Sequence, residues 1–117
     1  MARRSRPALR AILESIDGIQ RAIEGRSLDE FSANWLLNHA VQRGIEIISE
    51  ASRRLPQSLR DQHPEIPWPA VIGIGNILRH DYDEIIDEVI FRAATTQLAA
   101  LKAAVSAIDA ALDEPDE

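Results

Sequence analysis

The sequence predicts an all-α protein, a bundle of four helices with up to one further short turn, and three observations carry that prediction. Apolar residues recur at spacings of three and four along several long stretches, the period of a helix face. Near the end of the chain Phe91, Ala94, Leu98, Leu101, Val105, Ile108 and Leu112 keep this spacing without a gap, the heptad stripe that a bundle core needs. No stretch alternates apolar and polar residues with period two, and no hairpin turn signal occurs. A two-stranded coiled coil would use the same stripe, but other amphipathic stretches in the same chain favour an intramolecular bundle.

The first helix is expected to start near Pro7, a residue tolerated at a first helical position. Leu9, Ile12, Leu13, Ile16, Ile19 and Ile23 form its apolar stripe, and Gly25 is its stop. Ser27 followed three residues later by Glu30 is a capping-box signature. The second helix should run from about Leu28 to Leu55, with Phe31, Leu37, Val41, Gly44, Ile48, Ala51 and Leu55 inward, and Pro56 should end it. Pro56, Pro64, Pro67 and Pro69 mark a connection with one short helical turn at Ser58–Gln62. A short third helix follows Pro69. Gly73 and Gly75 weaken it by about 1 kcal/mol each relative to Ala, a hint that another backbone or side chain approaches closely there. The last helix is expected from about Asp83 to Leu112.

A chain of 117 residues suits one domain, residues 1–117, with 1–6 and 113–117 expected to fray. There is no Cys, which excludes disulfides and thiolate metal sites. His39, His63 and His80 are scattered and lack any metal-ligand spacing. No apolar run reaches the roughly 20 residues needed to span a bilayer. The basic start, Met1 to Arg6, leads into an amphipathic segment and not into the apolar core of a secretory signal, so the expected location is cytoplasmic. The formal net charge of −6 argues against a broad nucleic-acid surface but not against a local one. Lys102 is the only lysine, and every other cation is an arginine, the side chain whose planar fork suits phosphate. Arg3, Arg4, Arg6 and Arg10 form one basic group near the start, either a solubilising end or an electrostatic hold on RNA.

The polar cluster lies at Gly75-Asn76-Ile77-Leu78-Arg79-His80-Asp81-Tyr82. His80 can give and take protons near neutrality. Arg79 is a permanent cation. Asn76 lies one helical turn before His80, within reach of its ring or of a phosphate. Tyr82 adds a hydroxyl. These are parts for phosphodiester cleavage, namely a base, an acid and a cation for the developing charge. One chain supplies a single histidine here, and a two-fold dimer would bring two such segments together. The plain alternative is a helix-end histidine, a surface ion pair and a half-buried tyrosine. Arg43, Glu46 and Glu50 lie on neighbouring turns of the second helix. They either orient His80 or a phosphate or form an ordinary helix-surface ion-pair set. Trp68 reads as a core or interface anchor.

Ile66-Pro67-Trp68, a short spacer, Gly75 to Tyr82 and an acidic helix start together resemble the HepT-like toxins of the HEPN superfamily. Upstream, Ile47-Ile48-Ser49-Glu50-Ala51 resembles that family's second-helix pattern, where Gly-Glu-Ala is usual. The resemblance covers about Arg6 to Leu112. It implies a homodimeric all-α bundle with His-bearing segments facing each other. It also implies metal-independent RNA cleavage without a cofactor, by the toxin half of a toxin–antitoxin pair. The implied partner is an MntA-type minimal nucleotidyltransferase that silences the toxin by transferring AMP to a tyrosine. Carried across, His80 is the catalytic histidine, Asn76 its polar companion and Tyr82 the modified tyrosine, with Arg43 and Glu50 in support. The family pattern is Arg, four residues, His, one residue, Tyr. Its arginine falls at position 75, which is Gly75, and the nearest cation is Arg79, one turn later. The resemblance therefore implies either a ribonuclease in which Arg79 stands in, or a dimer without cleavage that regulates a nucleotidyltransferase.

Overall fold

A computed structural model describes residues 2–80 and 87–112, with side chains from residue 5 onward. Every regular element among them is a helix: α1 (Ala2–Ile23), α2 (Leu28–Ala33), α3 (Trp35–Arg54), α4 (Gln57–Arg60), α5 (Trp68–His80), α6 (Asp87–Thr96) and α7 (Leu98–Ala111). They group into four legs. One is α1, one is α2 with α3, one is α5, and one is α6 with α7. The short α4 lies in the proline-rich connection where a helical turn was expected. No helix of the described residues is long and apolar enough to cross a membrane.

The two expected long helices are each divided, for local reasons. Asn34 ends α2 and caps α3 with extended backbone (φ −105°, ψ 97°), and its side-chain oxygen accepts the Leu37 N–H at 3.0 Å. Asn competes for backbone hydrogen bonds in this way and so favours helix starts over helix interiors. Between α6 and α7 the hydroxyls of Thr95 and Thr96 donate back to the Phe91 and Arg92 carbonyls at 2.8 and 2.6 Å. Such back-bonding bends helices. The expected start at Asp83 lies outside the described residues, and α6 is described from Asp87.

Helix α1 begins earlier than Pro7, which lies inside it. Tertiary anchoring outweighs the lost backbone donor. Ser5, Ala8 and Leu9 are buried, and Arg6 donates to the Leu112 carbonyl and lies 3.7 Å from Asp109. This arginine is therefore committed to the far end of the chain and is not part of a basic arm for RNA. Gly25 stops α1 with φ +74°, where a side chain would be strained.

Most of the expected stripe residues form the core, with Leu13, Phe91 and Leu112 only partly buried and Ile45 and Ile90 buried in addition. Leu9, Ile12, Ile16, Ile19 and Ile23 pack with Phe31, Val41, Ile48, Leu55, Leu98, Leu101, Val105 and Ile108. Helix α1 lies against α3 so closely that a Cβ on Gly44 would come within 2.8 Å of the Ile19 side chain. The buried Asn38 is satisfied across the bundle. It donates to Asp87 at 2.9 Å and accepts from Gln42 at 2.7 Å, tying α3 to the start of α6.

Candidate functional site

Helix α5 is pinned at its start by Trp68 and packs inward through Gly75 and Leu78. Trp68 is buried, and its indole N–H donates to the His63 carbonyl at 3.0 Å, while Ile66 is buried just before it. Trp68 is therefore the core anchor expected of it. Of the two helical glycines, only Gly75 marks a close approach. Gly73 has nothing within 4 Å of where a side chain would start.

Gly75 faces Ser49 of α3. Its N–H donates to the Ser49 hydroxyl at 3.2 Å, and that hydroxyl donates to the Ile72 carbonyl at 2.6 Å. A Cβ at position 75 would lie 2.4 Å from Ser49 Oγ and 2.7 Å from Ser49 Cβ. Position 75 is thus a packed seam between helices, with no room for an arginine as the backbone stands. The serine was not singled out from the sequence as a site residue. Its signal was the small family residue that Ser49 replaces.

Beyond this seam α5 turns its polar groups outward. Asn76, Arg79 and His80 are all exposed, and Ile77 is 40% exposed beside them. Arg79 and His80 lie in the last described turn of the helix. Arg79 Nη1 lies 3.4 Å from the point a Cβ of residue 75 would occupy. One guanidinium nitrogen thus comes into ordinary contact range of position 75, while the space itself is filled by Ser49. The expected pairing of Asn76 with His80 is absent from the hydrogen bonds of the described residues. Tyr82 lies outside the described residues.

Arg43 and Glu50 do not touch His80. Arg43 pairs with Glu46 at 3.9 Å, and Glu50 pairs with Arg53 at 3.7 Å and Arg54 at 3.6 Å, all within α3. The helix-surface ion-pair reading describes these contacts. The same α3 face nonetheless meets Arg79 in one cavity of about 340 Å³, whose walls include Arg43, Glu46, Glu50, Arg54 and Arg79. The shifted carboxyls lie away from this face. Hydrogen bonds from Ser27 hold Glu30 below its ordinary value, and a hydrogen bond to His63 does the same for Glu65.

The sequence of this chain is similar to those of known proteins. The pattern of the family described as "Ribonuclease HepT-like" matches residues 12–108. The chain belongs to the HepT-like ribonuclease family of the HEPN superfamily. A candidate RNase of Caldanaerobacter subterraneus subsp. tengcongensis is 29% identical over 103 residues, covering 88% of this chain and 92% of that relative. The probable ribonuclease HepT of Thermococcus cleftensis is 29% identical over 102 residues, 87% of this chain and 93% of its own. A candidate RNase of Methanocaldococcus jannaschii is 38% identical over 71 residues, 61% of this chain and 65% of its own. No solved structure matches at a significant level.

Proposed function

We propose that this chain is a metal-independent endoribonuclease, the toxin half of a toxin–antitoxin pair, working as a homodimer with a composite site. The observation that carries the reading is an Arg79 guanidinium beside Gly75, its Nη1 3.4 Å from the place of a Cβ there, one residue from an exposed His80. A cation and a proton-transfer group thus share one helix end in a member of a ribonuclease family.

In this site the ribose 2′-hydroxyl attacks the neighbouring phosphorus as one imidazole takes its proton. The bond from phosphorus to the 5′-oxygen breaks, and a second imidazole, protonated, gives its proton to that oxygen. The products are a 2′,3′-cyclic phosphate and a free 5′-hydroxyl. Two histidines are needed for two proton transfers, and a two-fold axis supplies His80 twice. Arg79 stabilises the charge that builds on the phosphoryl oxygens, and losing one such group costs about 10²–10³ in rate at other sites. Asn76, one turn before His80, is placed to hold a phosphate or the ring once substrate is present.

Silencing follows from the same proximity. A nucleotidyltransferase partner transfers AMP from ATP to the Tyr82 hydroxyl, and pyrophosphate leaves. The new phosphodiester stands two residues from His80, where its charge and bulk compete with RNA.

The test is cleavage of end-labelled RNA in EDTA by wild-type protein and by His80→Ala. The expected result is wild-type cleavage in EDTA and at least a hundredfold loss in the variant. Equal cleavage by both removes His80 from the mechanism. A second reading rests on Gly75: with its motif side chain replaced by packing against Ser49, the dimer regulates a nucleotidyltransferase and leaves RNA intact. Wild-type protein that binds such a partner but cleaves no RNA would select it.

A further inference from the structure

The cavity beside Arg79 runs along α3 between the first turns of α1 and the end of α5. Its floor is small and apolar, with Ala8 and Ala11 from α1 and Ile47 and Ala51 from α3. Its rim is cationic. Arg43 and Arg54 stand at its two ends on one face of α3, eleven residues or about 16 Å apart along the helix, and Arg79 reaches it from α5. The carboxylates present are Glu46 and Glu50, each engaged by α3 arginines at 3.6–3.9 Å. The arginines of those pairs are solvent-exposed, at 51–72%, so the pairs are screened and hold them weakly. Arg79 has no ion pair among the described residues. Three guanidinium forks over an apolar floor suit a chain of phosphates better than a single ion, because each fork takes one phosphate in bidentate fashion.

We infer that this groove is the track along which the RNA strand runs to the cleavage site, with Arg43 and Arg54 each holding a backbone phosphate. The inference rests on the ribonuclease reading only for the identity of the ligand. It explains how a chain of net charge −6 holds RNA: the contacts are local and sit along a groove that Arg79, the neighbour of His80 in sequence, also lines. Such contacts are blind to base sequence.

The experiment is equilibrium binding of a fluorescent single-stranded RNA to the full-length His80→Ala protein across a range of salt concentrations. Cleavage does not enter the readout. Each phosphate contact contributes about 0.7 to the slope of log affinity against log salt for a single strand. Arg43→Ala and Arg54→Ala should each flatten the slope by about 0.7 and weaken binding several-fold, whatever the RNA sequence. Arg43→Lys and Arg54→Lys should restore most of the slope. Arg92→Ala removes the same charge from α6, outside the groove, and should match the parent. Both groove side chains are exposed (71% and 72%), so their loss leaves the core intact. Overlapping salt slopes for Arg43→Ala, Arg54→Ala and Arg92→Ala overturn the inference. RNA binding that ignores these variants while an acidic protein partner is lost also overturns it and gives the groove to that partner. Binding that follows the prediction in a protein whose wild type leaves RNA intact upholds the track and rejects the nuclease.

Discussion

Gly75 and Ser49 decide what the α5 end can be. The resemblance implies a glycine at position 49 and an arginine at 75; this chain has Ser49 and Gly75. The hydroxyl of Ser49 fills the seam and bonds to both Gly75 and Ile72. Replacing the glycine alone should therefore cost stability. Gly75→Ala gains about 1 kcal/mol of helix propensity against a contact of 2.4 Å, and forced overpacking costs about 1–3 kcal/mol. The expected net result is a destabilisation of about 1 kcal/mol or more by chemical denaturation. In a Ser49→Gly background the same change should become neutral or favourable, a coupling that a double-mutant cycle measures. Equal effects in both backgrounds would show that the seam does not set the position. By the same reasoning Gly75→Arg by itself disrupts packing and does not simply restore a site. The sequence revealed the glycine as anomalous and Arg79 as its candidate substitute. It could not reveal the Ser49 contact, because that pairing joins residues on different helices.

At the level of elements the apolar stripes were legible, because burial on one face leaves a periodic trace. The divisions at Asn34 and Gln97 were not: Gln97 falls within an unbroken stripe, and Asn34 leaves only a single gap of six between Phe31 and Leu37. Each arises from a side chain bonding to nearby backbone, which propensity barely registers. Asn34→Ala should lower stability by about 1 kcal/mol, as for other helix caps, and should leave RNA binding unchanged. A neutral result would mean that packing alone directs the chain from α2 into α3. The capping box was legible in full. The Ser27 hydroxyl accepts the Glu30 N–H at 3.1 Å, and Glu30 accepts the Ser27 N–H at 2.8 Å. Because these bonds hold the Glu30 carboxyl below its ordinary 4.5, their contribution is present above that pH and is lost as pH falls through the folded-state value. Glu30→Gln should remove this acid-side dependence and, with it, the part of the stability that the carboxylate supplies at neutral pH. A wild type and variant with parallel acid denaturation curves would contradict that assignment.

The whole molecule adds what one chain lacks. A single protomer offers one histidine for a reaction with two proton transfers, so the proposed mechanism needs two copies. Trp35, Leu36, Ile77 and Val89 are the exposed large apolar residues among those described. Ile77 lies beside Asn76 on the outward side of α5, where the proposed dimer would bury it. Light scattering should give twice the protomer mass for the wild type. Ile77→Asp should shift the balance to monomer and take RNA cleavage with it, because a buried unpaired carboxylate opposes association. A monomeric variant that still cleaves would rule out the composite site. The bundle and the polar cluster could be read from one chain, whereas the groove along α3 could not. It joins Pro7, Ala8 and Ala11 to Arg43, Arg54 and Arg79, residues that only packing brings together.

The central claim is that Arg79 supplies the positive charge that position 75 no longer carries. Single-turnover cleavage of one RNA by wild type, Arg79→Lys and Arg79→Ala measures it directly, with helicity and oligomeric state confirmed unchanged. The predicted result is a fall of about 10²–10³ for Arg79→Ala and an intermediate rate for Arg79→Lys, which keeps the charge but not the fork. Cleavage by Arg79→Ala at the wild-type rate would contradict it.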